Sequence, residues 1–117
     1  MEILKAIAAR LPKFIQYEMK RIYFARQIMS SSFYTDEPEY GKLPELLKEG
    51  DWVIDVGANV GHYTKRFSEL VGKSGRVMAF EPVPVTFSLL AANTRIFQHS
   101  NVTLFNAAVS DKIDVMG

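Results

Sequence analysis

The sequence contains no cysteine, which removes disulfides, thiolate metal sites and a cysteine nucleophile, and leaves the redox compartment open. Histidine is nearly as scarce, present only as His62 and His99, so no histidine-rich metal centre is expected. No uncharged apolar run is long enough to span a membrane or to serve as a secretory signal, and the expectation is a cytoplasmic protein. Surplus charge is lacking too. Fourteen basic residues oppose 13 acidic ones, and a net charge of +1 gives no case for nucleic-acid binding by bulk electrostatics. What remains is a chain of 117 residues, 48% hydrophobic and 23% charged, large enough to bury one core.

The charge that is present is segregated. Residues 1–32 carry Lys5, Arg10, Lys13, Lys20, Arg21 and Arg26 against Glu2 and Glu18. Residues 33–51 carry Asp36, Glu37, Glu39, Glu45, Glu49 and Asp51 against Lys42 and Lys48. Such blocks suggest that the basic arm and the acidic connector lie near each other. In the arm, Leu4, Ile7, Ala8 and Leu11 recur at helical spacing until Pro12 interrupts. A second helical pattern over 13–29 sets Ile15, Met19, Ile22, Ala25 and Met29 along one side. This basic, aromatic arm is expected to dock on the domain; the alternative is that it lies flat on an anionic membrane.

Residues 33–42 read as a loop, and 43–49 as a short helix with Pro44 in its first turn and Gly50 past its end. From there the pattern alternates. A buried strand at 52–56 is followed by a helix at 61–71 with Tyr63, Phe67, Leu70 and Val71 inward. A strand at 76–80 leads to a helix from Pro84 to about Phe97, with Phe87, Leu90, Ala91, Thr94 and Phe97 on its inner face, and then to a strand at 101–106. Alternation at this spacing predicts parallel βαβ units with right-handed crossovers. The division expected is an arm with its connector at 1–42 and an α/β domain from 43 to 117.

Ligands of such sheets bind at the carboxyl ends of the strands. Three features meet there. Gly57-Ala-Asn-Val-Gly61 turns the first strand sharply into a helix, whose N-terminal N–H groups favour an anion. Glu81 ends the second strand where a carboxylate can accept both hydroxyls of a ribose. Residues 106–111 leave the third. A dinucleotide site requires G-x-G-x-x-G, but Asn59 stands at the middle glycine, so a nucleoside without a pyrophosphate suits the corner better.

Asp-Val-Gly-Ala-Asn-Val-Gly-His-Tyr, Phe-Glu-Pro-Val-Pro, Asn93 and Asn-Ala-Ala-Val-Ser-Asp, in that order over residues 43–111, resemble the opening of an FkbM-family methyltransferase. The resemblance implies a Rossmann-like class I fold and S-adenosylmethionine as cofactor. It assigns Asp55, Gly57, Ala58, Asn59 and Gly61 to the methionine part. Glu81, followed by Pro82, falls to the ribose, and Asn106, Ala107 and Ala108 to the border of the adenine. Asp55 could equally anchor the loop, and His62 fits helix capping or packing better than catalysis. The family implies a small-molecule or glycan hydroxyl as acceptor, aligned for direct methyl transfer. No catalytic residue is assigned and no metal is expected.

Class I sheets have seven strands, whereas this chain supplies three, preceded by the N-terminal helices. Residues 112–117 resemble a later family signature, but they follow too closely for a parallel crossover and read as a hairpin strand or a chance match. The expectation is an incomplete domain, inactive alone and either marginally stable or self-associating through its open edge. Two other readings are an NAD-dependent oxidoreductase, which lacks its glycine pattern, and a non-enzymatic interaction module.

Overall fold

The computed structural model describes residues 2–110 and the backbone of a last strand at 113–115. Three helices come first: α1 (Glu2–Ala9), α2 (Lys13–Met29) and α3 (Pro38–Leu46). The alternating part follows as β1 (Trp52–Val56), α4 (His62–Val71), β2 (Arg76–Phe80), α5 (Pro84–Thr94) and β3 (Val102–Phe105). Then come β4 (Ala107–Val109) and β5 (Ile113–Val115). Strands β1, β2 and β3 form one parallel sheet in that order, with Trp52 opposite Arg76 and Val77 opposite Val102. Strands β4 and β5 form a separate antiparallel hairpin, the arrangement expected of 113–115; Lys112, Met116 and Gly117 lie outside the described residues.

The register puts Asp55, Val77, Ala79, Val102 and Leu104 on one face, where both crossover helices pack. Ala79 and Leu90 are fully buried there, against Phe87, Val102 and Leu104. The other face is largely bare at β1, where Trp52, Ile54 and Val56 are 72%, 62% and 59% exposed. The expected burial of β1 is therefore corrected. β1 is an edge strand, and only Asp55 on it is buried.

Helix α4 also departs from its sequence pattern. Its buried stripe is Thr64, Ser68 and Val71, while Tyr63, Phe67 and Leu70 are half-buried at its flank. Small side chains let the helix sit close to the sheet, and their hydroxyls serve buried partners that larger apolar residues could not. Ser68 Oγ donates to Asn101 Oδ1 at 2.5 Å, while Asn101 Nδ2 donates to the carbonyls of Ser68 and Gly72 at 3.0 and 2.8 Å. One buried amide thus staples the end of α4 to the start of β3, and among the described residues no buried side-chain nitrogen or oxygen lacks a hydrogen-bond partner.

Three further boundaries move. Helix α3 begins within the expected loop, with Pro38 in its first turn and Pro44 inside it, and ends at Leu46, well before Gly50. Proline suits a first turn because the amide it lacks would have no partner there. Helix α5 stops at Thr94, and the buried Phe97 belongs to the turn beyond; the inner face includes Leu89 and Asn93. The third strand ends at Phe105, short of Asn106.

The arm docks, but not by the stripe the spacing suggested. Met19, Ile22 and Met29 are exposed, while Ile28 is buried with Phe33 and Phe97, against Phe24, Val60 and Val102. Tyr17 meets Ser88 of α5 through a 2.7 Å hydroxyl–hydroxyl hydrogen bond. Among the described residues no ion pair joins the basic arm to the acidic connector. The described pairs are Arg21–Glu18, Lys65–Glu69 and Arg66–Glu69, all within single helices.

Candidate functional site

The corner after β1 is held by backbone conformations that glycine and asparagine adopt most readily. Gly57, Asn59 and Gly61 have φ of 70°, 56° and 107°. The amides of Gly57 and Ala58 both donate to the carbonyl of Phe80 at 2.9 Å, which ties the corner to the end of β2. Gly61 allows a close approach as well, since a Cβ there would sit 2.9 Å from Leu90 Cδ1. Gly57 differs: a Cβ would meet no protein atom within 4 Å, so the space above it is open to a ligand. No side chain caps the N-terminus of α4 that follows.

Glu81 locks this corner from beneath. It is 6% exposed, and its carboxylate accepts the Asn59 amide at 2.8 Å and the Val83 amide at 3.0 Å. A freely solvated carboxylate is thereby ruled out, and both oxygens retain lone pairs. Asn106 Nδ2 donates to the carbonyls of Glu81 and Pro82 at 2.9 and 3.1 Å, so these three residues form one unit at the carboxyl edge. Ala107 is buried and Ala108 half-buried in β4, paired with Val115 and Asp114 of the hairpin.

Asp55 has two environments. Its Oδ2 accepts from Thr64 Oγ1 at 2.6 Å, which anchors β1 to α4. It also lines a cavity of about 740 Å³ together with Val56, Gly57, Ala58 and Asn59. Burial pushes its carboxyl up from the ordinary range, the Thr64 bond opposes this, and the Glu81 charge adds to the rise.

The opposite wall of the cavity was not anticipated. Tyr34, Thr35, Asp36 and Glu37, within the segment read as a loop, face the corner, with His62 and Tyr63 between. His62 stacks on the buried Phe33 at 4.1 Å and meets Phe24 edge-on, and burial lowers its pKa, favouring the neutral ring. The structure therefore brings Asp55, Gly57, Ala58 and Asn59 together on one cavity. Glu81, Pro82 and Asn106 support it from below, and Gly61, Ala107 and Ala108 are not in its lining. The one sequence signal for the missing wall was the acidic bias of residues 33–51. Among the described residues the cavity is lined by Asp36, Glu37 and Asp55 and by no lysine or arginine, so its field favours a cation.

A parallel sheet with a glycine corner and an acidic second strand end is the opening half of a Rossmann-like class I methyltransferase fold. Residues 55–116 match the family model described as the methyltransferase FkbM domain, and the chain belongs to that family. It is 49% identical over 47 residues to the 31-O-demethyl-FK506 methyltransferase FkbM of Streptomyces tacrolimicus, a match covering 40% of this chain and 18% of that protein. It is 36% identical over 56 residues to the protein-L-isoaspartate O-methyltransferase 2 of Archaeoglobus fulgidus, covering 48% and 26%. Among solved structures it resembles a SAM-dependent methyltransferase from Aquifex aeolicus, with a TM-score of 0.51 and 26% identity over 71% of this chain and 46% of that one. The chain thus spans about a quarter or less of the curated relatives it matches.

Proposed function

We propose that the chain forms the cofactor-binding half of an S-adenosylmethionine-dependent methyltransferase acting on a hydroxyl of a small molecule or glycan. The observation that carries this is the charge of the cavity: three carboxylates and no fixed cation beside a glycine corner that leaves bare backbone accessible. A dinucleotide brings a pyrophosphate, which these carboxylates would repel. S-adenosylmethionine brings a sulfonium and an ammonium, which they attract, and when bound it supplies an already activated methyl group.

In this reading Gly57, Ala58 and Asn59 give the ligand close access to backbone. Asp55 orders the corner through Thr64 and faces the cationic end. Glu81 fixes the Asn59 turn and offers its remaining lone pairs to the ribose, with Pro82 and Asn106 holding the strand end. Gly61 permits the helix approach, and Ala107 and Ala108 border the adenine side. Neutral His62 packs beneath the cavity rim rather than transferring protons.

The domain is incomplete in the 117 residues and self-associates when isolated. The support is the unpaired edge of β1 and the bare face at Trp52, Ile54 and Val56. The test is a thermal melt with excess S-adenosylhomocysteine or NADH, since a ligand of the folded state raises the midpoint. The expected result is a rise with S-adenosylhomocysteine alone, lost in Glu81→Gln, where an amide donor would confront the Asn59 or Val83 amide. A rise with NADH alone, or no rise in a cooperatively folding chain, would refute the reading.

A further inference from the structure

Helix α2 has two apolar faces, and the domain uses only one. Tyr17, Phe24 and Ile28 turn inward, whereas Phe14 and Met19, on the side of α2 that carries Lys13 and Lys20, remain 72% and 47% exposed. Helix α1 buries no residue, and it turns Lys5, Ala8 and Ala9 toward Met19 of α2. Two shallow hollows flank α2. One of about 260 Å³ lies against α1 over Ala8, Ala9 and Met19; the other, of about 420 Å³, lies toward α5 beside Phe14, Val85 and Leu89. Lys5, Lys13 and Lys20 rim them, and among the described residues no acidic one lines either. Among the described residues the only ion pair on these two helices is Arg21–Glu18, and Lys5, Arg10, Lys13, Lys20 and Arg26 are all exposed.

We propose that the surface formed by these two hollows and their lysine rim docks on an anionic lipid bilayer. The bulky apolar side chains would enter the acyl boundary while the lysines and arginines meet acidic headgroups, the pattern of helices that lie in a membrane interface. A second copy of the chain is a poor occupant, because it would set the same cations against each other. The apolar area is spread over two helices and the shoulder of α5, with no single deep pocket for an anchoring side chain of a protein partner. A flat anionic amphiphile matches both the charge and the shape. The proposal does not depend on methyl transfer.

Co-sedimentation of the full 117-residue chain with vesicles tests it, using phosphatidylcholine alone or with roughly one third phosphatidylserine. The chain is expected to pellet with the anionic vesicles and not with the neutral ones, and to be released by high salt. Replacing Lys13 and Lys20 together by glutamine should weaken binding roughly 25-fold, at about fivefold per cation. Phe14→Ser with Val85→Ser, which are 72% and 63% exposed, should weaken it as well with the charge unchanged. These side chains are exposed, so the melting temperature of each variant should match that of the parent. Failure to pellet with anionic vesicles, equal binding to both vesicle types, or anionic binding indifferent to the Phe14 and Val85 pair would overturn the proposal.

Discussion

Replacing Thr64 by valine removes one hydroxyl and leaves a side chain of nearly the same shape. Thr64 is fully buried, and its Oγ1 donates to Asp55, itself 8% exposed, at 2.6 Å. Hydrogen bonds to charged groups contribute about 1.5–3 kcal/mol, and the carboxylate would keep no substitute donor from position 64. Thr64→Val is therefore expected to cost about 2 kcal/mol near neutral pH, a drop in Tm of roughly 6–12 °C for a domain of this size. The loss should depend on pH in a definite sense. Burial already raises the Asp55 pKa and the Thr64 bond holds it back, so removing the bond raises it further. A folded-state pKa above the unfolded value favours the native state as pH falls through it. The deficit of the variant is thus largest above the Asp55 pKa and shrinks on acidification, once the carboxyl is neutral in both proteins. Urea unfolding followed by far-UV circular dichroism, in a double-mutant cycle with Asp55→Asn, measures both quantities. A deficit below about 0.5 kcal/mol at pH 7, or a coupling energy near zero, would refute the assignment of this bond as the anchor between β1 and α4.

Gly61→Ala should destabilise by about 2–4 kcal/mol, because φ of 107° is strained for alanine and the new Cβ would press on the fully buried Leu90. A urea midpoint equal to that of the parent would contradict this. His62 acts in the opposite sense to Asp55. Its pKa is lowered by burial, so the unfolded chain takes up a proton that the folded chain resists. Stability is then intact above the free-histidine value of about 6.5 and falls as pH drops below it. His62→Phe, which preserves the stack on Phe33, should flatten thermal midpoints measured between about pH 7 and 5.5; an unchanged slope would exclude His62 as its source.

The parts of the fold legible in the sequence were those written in backbone chemistry and strict alternation. The three strands of the parallel sheet, the turn from Gly57 to Gly61 and the carboxylate at position 81 all follow from local pattern. Side-chain identity misled where polar residues do core work. The inward side expected of α4 was Tyr63, Phe67, Leu70 and Val71, yet Thr64 and Ser68 are buried, with their hydroxyls donated to Asp55 and Asn101. Helix α2 misled for the opposite reason: it is apolar on two sides, and periodicity alone does not say which side finds a partner. Pro38 sat in a stretch of turn-formers and was read as loop, though proline also opens helices. The candidate site was half legible. The corner could be read from its glycines, whereas the wall formed by residues 34–37 exists only because the chain folds back across it.

The parallel wiring of the sheet has a consequence for the order in which the molecule can be assembled. Trp52 pairs with Arg76, Gly57 and Ala58 are tied to Phe80 and Asn59 to Glu81, so the local Gly61–Ala58 and Thr64–Asp55 bonds are only part of what holds the glycine corner. A nascent chain that has reached only Val71 has the residues of β1 and α4 but no strand to pair with. The corner becomes a binding surface only after position 81 has emerged, and Asn106 closes the strand end later still. Ligand therefore cannot template the early steps of folding; it can only trap a site that long-range pairing has already built.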